Sequence, residues 1–305
     1  MAIAICGSAH ARNPPPAEIV IDGTNVYPES ISSTADGTLF TGSIQGILFR
    51  AIPGSSRAVP WIRPTTENGL LAVFGVLADE RSGTLWVCSS PTSLRNPPAV
   101  GTSALMAFDL KSGRQKGVYP LPAPASLCND ITIDREGTAF VSDTPNGRIL
   151  KLTRGSTSLE PFAEDVRLKG IDGLALSGDG VLYVNIVTNG SLLRVDRNRD
   201  GSAGAITQLT PSEPLRAPDG LRLIRKQTFL LAEGGSGRID KVTIDGDRAE
   251  IKVLRDGLNA PTAVTFVGKT AYVNEGKIGY LVDPKLKGQD PGSFAVHAVP
   301  LVGLR

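Results

Sequence analysis

Four residues with oxygen-bearing side chains, Glu29, Asn129, Asp172 and Asp219, stand at one place in a pattern that the chain repeats. Three are carboxylic acids and one is an amide, which is the donor chemistry a hard divalent cation takes, with water completing the shell. Three carboxylates converging without a cation would repel one another in a partly desolvated space. The ordinary alternative is that Asp and Asn beside turns cap strands through local backbone hydrogen bonds. Four such donors among six equivalent positions favour a ligand set.

The pattern that presents them is clearest at 126–144. There the polar pair Asn129-Asp130 leads into alternating Ile131 and Ile133, a turn runs from Asp134 to Gly137, and Ala139-Phe140-Val141 follows. Period-2 alternation broken by an Asp/Gly turn is a hairpin signal. Related stretches begin at Pro28-Glu29-Ser30, Phe74-Gly75-Val76, Ile171-Asp172-Gly173, Pro218-Asp219-Gly220 and Pro261-Thr262-Ala263. The six copies are spaced by roughly 43 to 54 residues, close to the length of a propeller blade. In four of them the lead residue stands eight positions before the turn glycine: Glu29/Gly37, Gly75/Gly83, Asn129/Gly137 and Asp172/Gly180. The spacing therefore predicts that Glu29, Gly75, Asn129, Asp172, Asp219 and Thr262 share one structural position. In a propeller that position is the start of the innermost strand, beside the central channel. The fold class predicted is all-β, a six-bladed β-propeller with a central-channel metal site.

A ring must close, often by pairing a strand from one terminus with the last blade. Ala17-Glu18-Ile19-Val20-Ile21 and the apolar run Phe294–Val302 are expected to share a blade. The 305 residues divide into an N-terminal tail or signal remnant, 1–16, and the propeller, 17–305. The tail holds an Ala9-His10-Ala11 pattern but no basic start. It makes the chain periplasmic or secreted if it is a signal remnant, and otherwise cytoplasmic. A net charge of +2 with scattered Lys and Arg argues against nucleic acid, and no apolar run is long enough for a transmembrane helix. Cys6, Cys88 and Cys128 lack the spacing of a zinc site or disulfide framework, so Cys128 reads as a small buried hydrophobe. His10 and His297 lie near the two ends, which leaves carboxylates or a metal to carry any chemistry. Ser89–Thr102 reads as a long loop of the kind that can cover a site. Asp143, Glu233 and Glu275 follow apolar strands and read as turn residues.

The ordered set Pro28-Glu29-Ser30, Cys128-Asn129-Asp130, Asp172-Gly173-Leu174-Ala175 and Pro218-Asp219-Gly220-Leu221 resembles the senescence-marker-protein, gluconolactonase and luciferin-regenerating-enzyme family. That family includes regucalcin, and the squid-type diisopropylfluorophosphatase is a close structural relative. The resemblance spans nearly the whole chain. It implies a six-bladed propeller with one divalent cation held by Glu29, Asp172 and Asp219, with Asn129 beside it touching substrate or ligating. It implies hydrolysis of a lactone or related ester, the metal polarising the carbonyl and Asp219 serving as base or nucleophile. Two departures stand out. Position 172 is Asp where many members carry Asn, and Leu127 replaces the Arg that sugar-lactone members carry two residues before the asparagine. Loss of a guanidinium that could bond sugar hydroxyls points to a less polar substrate.

The activity expected is a divalent-metal-dependent hydrolase, with Ca²⁺ first and Mg²⁺, Mn²⁺ or Zn²⁺ as alternatives. The expected partner is a small-molecule substrate, with no nucleic acid or membrane, and the chain is expected to be a monomer. Two other readings remain: a non-catalytic propeller that binds a metal or ligand, and a strictosidine-synthase-like condensing enzyme using Glu275 or Glu233.

Overall fold

The structure, a computed structural model, describes residues 16–95, 97–123 and 125–302. Residues 1–15 of the N-terminal tail, with the Ala-His-Ala pattern, lie outside the described residues.

Six antiparallel four-stranded units follow one another along the chain. Their inner strands are Pro28–Ser33, Ala72–Asp79, Cys128–Ile133, Ile171–Leu176, Pro218–Arg225 and Pro261–Val267. Each begins a meander of neighbouring strands, the economical way to bury two faces of a twisted sheet between like units. Blade five carries one extra short strand, Thr210–Pro211, parallel to Arg248–Arg255. No helix among the described residues is long and apolar enough to cross a membrane.

The ring closes as expected. Glu18–Ile21 pairs antiparallel with Phe294–Pro300 and supplies the outermost strand of blade six. The same strand also pairs in parallel with Arg57–Ala58 of blade one, so blades one and six form a continuous sheet. Ile19 and Ile21 are buried in the joint.

The core lies between blades. Two residues beyond each lead position sits a fully buried aliphatic: Ile31, Val76, Ile131, Leu174, Leu221 and Val264. That series corrects one expectation. In blade two the position equivalent to Glu29 belongs to Phe74, not to Gly75. The blade-two inner strand has eight residues against six in blade one, so its turn glycine falls one place later. Gly75 has a different task. A Cβ there would lie 2.2 Å from the carbonyl oxygen of Asn129, so its bare backbone lets blade three approach.

That approach overturns the reading of the cysteines. Cys88, paired in register with Gly75, forms a disulfide with Cys128, with Cα atoms 5.0 Å apart. The partners are 40 residues apart in sequence, and only the packing of adjacent blades brings them together. Both are fully buried.

Candidate metal and catalytic centre

Every inner strand carries a register shift where its lead residue stands: between Pro28 and Ser30, Val73 and Gly75, Cys128 and Ile131, Ile171 and Leu174, Pro218 and Leu221, and Pro261 and Ala263. A bulge re-aims a side chain out of the regular alternation. The chain enters four of these strands through a left-handed residue two places before the lead: Tyr27, Gly170, Ala217 and Ala260. Three of these precede a proline that opens the strand. Left-handed backbone is uncommon for residues other than glycine and concentrates where surrounding structure fixes it. The ring of lead residues is therefore Glu29, Phe74, Asn129, Asp172, Asp219 and Thr262.

Neighbouring blades lock these leads together through polar residues at the ends of second strands. Ser142 Oγ donates to the Asp172 carbonyl at 2.8 Å, and Ser90 Oγ to the Cys128 carbonyl at 3.1 Å. Asn185 donates from Nδ2 to the Asp219 carbonyl and accepts from Gly173 N–H at 3.2 Å. Thr262 Oγ1 donates to the Pro28 carbonyl at 3.0 Å and closes the circle.

The four sequence-predicted residues are brought to this ring. Asn129 Nδ2 donates to Asp172 Oδ2 and to Thr144 Oγ1, both at 3.1 Å, which leaves its Oδ1 as the free donor oxygen. The Asp172 and Asp219 carboxyls share a hydrogen bond. Glu29, Asn129 and Asp172 are buried, while Asp219 lies deep but keeps part of its surface accessible. Burial, then the Asp130 charge, pushes Asp172 up to about 7 against the bonds from Asp219 and Asn129. Burial and the charges of Asp172 and Glu29 hold Asp219 well above the usual carboxylate range. Glu29 is raised in the same way by burial, Asp172 and Asp130, and Arg222 pulls it back.

Arg222 carried no signal in the sequence. It stands three residues after Asp219 on blade five, yet its guanidinium crosses to the far side of the ring. It grips Asp130 with Nη2–Oδ1 3.0 Å and Nη1–Oδ2 3.3 Å, and donates to the carbonyls of Ile131 and Val76 at 3.4 Å. Asp130 also accepts from Ile131 N–H at 2.8 Å and Leu174 N–H at 3.3 Å. Ile131 and Val76 lie two residues past the leads, about 6–7 Å deeper along the strands. The guanidinium thus forms a floor beneath the carboxylates and supplies one positive charge to four acids. A forked ion pair of this kind fixes orientation as well as charge.

The donor set fits a hard cation in chemistry: all oxygen, three acids, and net negative after Arg222 is counted. Among the described residues no three His, Cys, Asp or Glu side chains are gathered tightly enough to hold a metal as they stand. Asn129 and water would have to complete the shell.

The other acids have structural work. Asp143 bonds Arg148 at 2.8 Å across a hairpin and receives Leu127 N–H at 3.0 Å. Glu233 and Asp240, both fully buried, share Arg238 at 3.2 and 3.1 Å. Glu275 accepts from Asn259 N–H at 2.8 Å and lies 3.1 Å from His297 Nε2, out of hydrogen-bonding alignment. Neither Glu233 nor Glu275 is a free acid in the channel. His297 belongs to the third strand of blade six, away from the ring of leads.

No family model and no curated protein matches the sequence. Solved structures do match in shape. A gluconolactonase from Xanthomonas campestris superposes with TM-score 0.66 at 15% identity, over 94% of this chain and 99% of that one. Luciferin-regenerating enzyme gives TM-score 0.66 at 14% identity, over 92% and 93%. A streptogramin B lyase gives 0.60 at 21% identity, over 86% and 80%. At these identities the likeness establishes the propeller fold.

Proposed function

We propose that this protein hydrolyses a lactone or related ester at the ring of lead residues, with a divalent cation held by Glu29, Asp172, Asp219 and the Asn129 amide oxygen. The observation that supports this most directly is that three acids with raised proton affinity stand at equivalent positions of one ring above an arginine floor. Their mutual repulsion is what a cation relieves, and Ca²⁺ suits the all-oxygen donors best. When bound, such a cation supplies Lewis-acid polarisation of the substrate carbonyl.

The protein's own part centres on Asp219, the lead acid with accessible surface. Held above the usual carboxylate range, it is a stronger proton acceptor than a solvated aspartate. As a base it takes a proton from water while the water oxygen bonds to the carbonyl carbon. It returns that proton to the ring oxygen as the carbon–oxygen bond of the ester breaks. As a nucleophile its carboxylate oxygen bonds to the carbon instead while the ester carbon–oxygen bond breaks and the departing oxygen takes a proton from water; the hydroxide so formed then cleaves the acyl-aspartate to the free acid and Asp219 carboxylate. Asn129 and Asp172 hold the geometry, the former fixed by its two hydrogen bonds.

The test joins metal content to turnover. Protein purified without chelator should carry one equivalent of a divalent ion and hydrolyse members of a lactone and ester panel. Glu29→Gln/Asp219→Asn should lose the ion, and Asp219→Asn alone should lose about 10²–10⁴ in kcat while keeping its fold. Absence of metal, together with no melting shift on adding Ca²⁺, Mg²⁺, Mn²⁺ or Zn²⁺, would overturn the reading. A single turnover in ¹⁸O-water tests the nucleophilic role: label found on Asp219 marks an acyl-aspartate cleaved at the aspartyl carbon.

A further inference from the structure

A cavity of about 1230 Å³ lies on one side of the channel mouth, larger than most small-molecule sites. Strand direction fixes its place. Tyr27 precedes the inner strand of blade one, Ile47 ends the turn between that blade's second and third strands, and Arg63 follows its outer strand. Arg95 comes from the long loop of blade two, and Lys287 from the segment between Glu275 and Phe294 that carries the one-turn helix Gly279–Val282. In an antiparallel meander all five connections emerge at the end where the inner strands begin. Tyr27 is two residues from Glu29, so the cavity wall and the candidate ligand are within about 7 Å of backbone.

The chemistry of the walls is unequal. Arg63, Arg95 and Lys287 have side chains with no hydrogen bond or ion pair to another described residue. Asp290 is the acid on the lining, and its Oδ1 is used by Gly292 N–H at 2.9 Å. Elsewhere in the blades Arg148, Arg194, Arg197, Arg222 and Arg238 form ion pairs. Three cations left without partners around one concave, partly apolar space make a receptor for an anion on an otherwise apolar body.

Resting on the hydrolase reading, we infer that this cavity binds the non-reacting part of the substrate, and that this part carries an anionic group such as a carboxylate or phosphate. The substrate class is then an amphiphilic lactone or ester whose tail reaches from the ring of leads toward Arg63 and Arg95. The cations come from the connections of blades one, two and six.

The experiment uses two probes with the same lactone and alkyl tail, one ending in a carboxylate and the other in a primary carboxamide. The intact protein should favour the carboxylate at least tenfold in kcat/KM, through KM. In Arg63→Gln/Arg95→Gln the ratio of the two should fall toward one. If both probes are hydrolysed equally, or the double variant leaves the ratio unchanged, the anionic subsite is wrong and the hydrolase reading stands. If neither probe is hydrolysed, that reading fails, and calorimetry decides the cavity separately. Binding of the carboxylate probe that the double variant abolishes supports the subsite. Equal binding of both probes, or none, overturns it.

Discussion

Asp172, Asp219 and Glu29 share a condition that sets a testable sign. Burial and the charges of neighbouring acids raise all three above the range an unfolded chain would show. In the cation-free protein the folded state therefore keeps protons that the unfolded state has released. Stability gained this way is full below the unfolded value near 4 and is lost as pH rises through the raised values, about 7 for Asp172. Each retained proton contributes a slope of about 1.4 kcal/mol per pH unit. Melting temperature measured in chelator should fall from pH 5 to pH 8, and added Ca²⁺ should flatten that fall. A chelated protein whose melting temperature rises across this interval would contradict the clustering of the acids. The four donors were legible in the sequence because each opens the same hairpin pattern. Arg222 was not, because nothing local marks a side chain whose partners, Asp130, Ile131 and Val76, belong to blades on the other side of the ring. Its value is positional: removing it would leave Asp130 buried and unpaired.

At the level of strands and blades, alternation and turn chemistry announced the six inner strands, and the pairing of the first and last strands followed from the need to close a sheet. The failures have local causes. The extended hairpin of blade two moved its turn glycine relative to the lead position and disguised Phe74. The disulfide escaped because its signal is spatial: Gly75 opens the space in which Cys88 meets Cys128. The bond ties blade two to the residue just before Asn129. It closes a loop of 40 residues, for which chain entropy gives roughly 4 kcal/mol. Cys88→Ala/Cys128→Ala should lower the unfolding free energy in denaturant by about 2–5 kcal/mol. A change below about 0.5 kcal/mol would mean that the pair is not bonded in solution. Such bonds persist in oxidising compartments.

The molecule as a whole is a ring with one joint. Glu18 faces His297 and Ile21 faces Phe294, so the chain enters one strand and leaves the other at the same end of the pair. An antiparallel pair held this way has its rungs perpendicular to the strands. Tension applied between residue 18 and residue 300 therefore reaches the rungs in succession, beginning at Glu18–His297, and never all together. The parallel rungs to Arg57 and Ala58 sit at Val20 and Ile21, where the peel would arrive last. In an optical trap this joint should part first and at low force, in a small reversible step, while the blades stay folded. A single high-force event that unfolds everything together would contradict it. Mechanically the propeller is a clasped belt: each blade resists tension through its own hydrogen-bonded strands, and the clasp, built from the first strand, is where it unfastens.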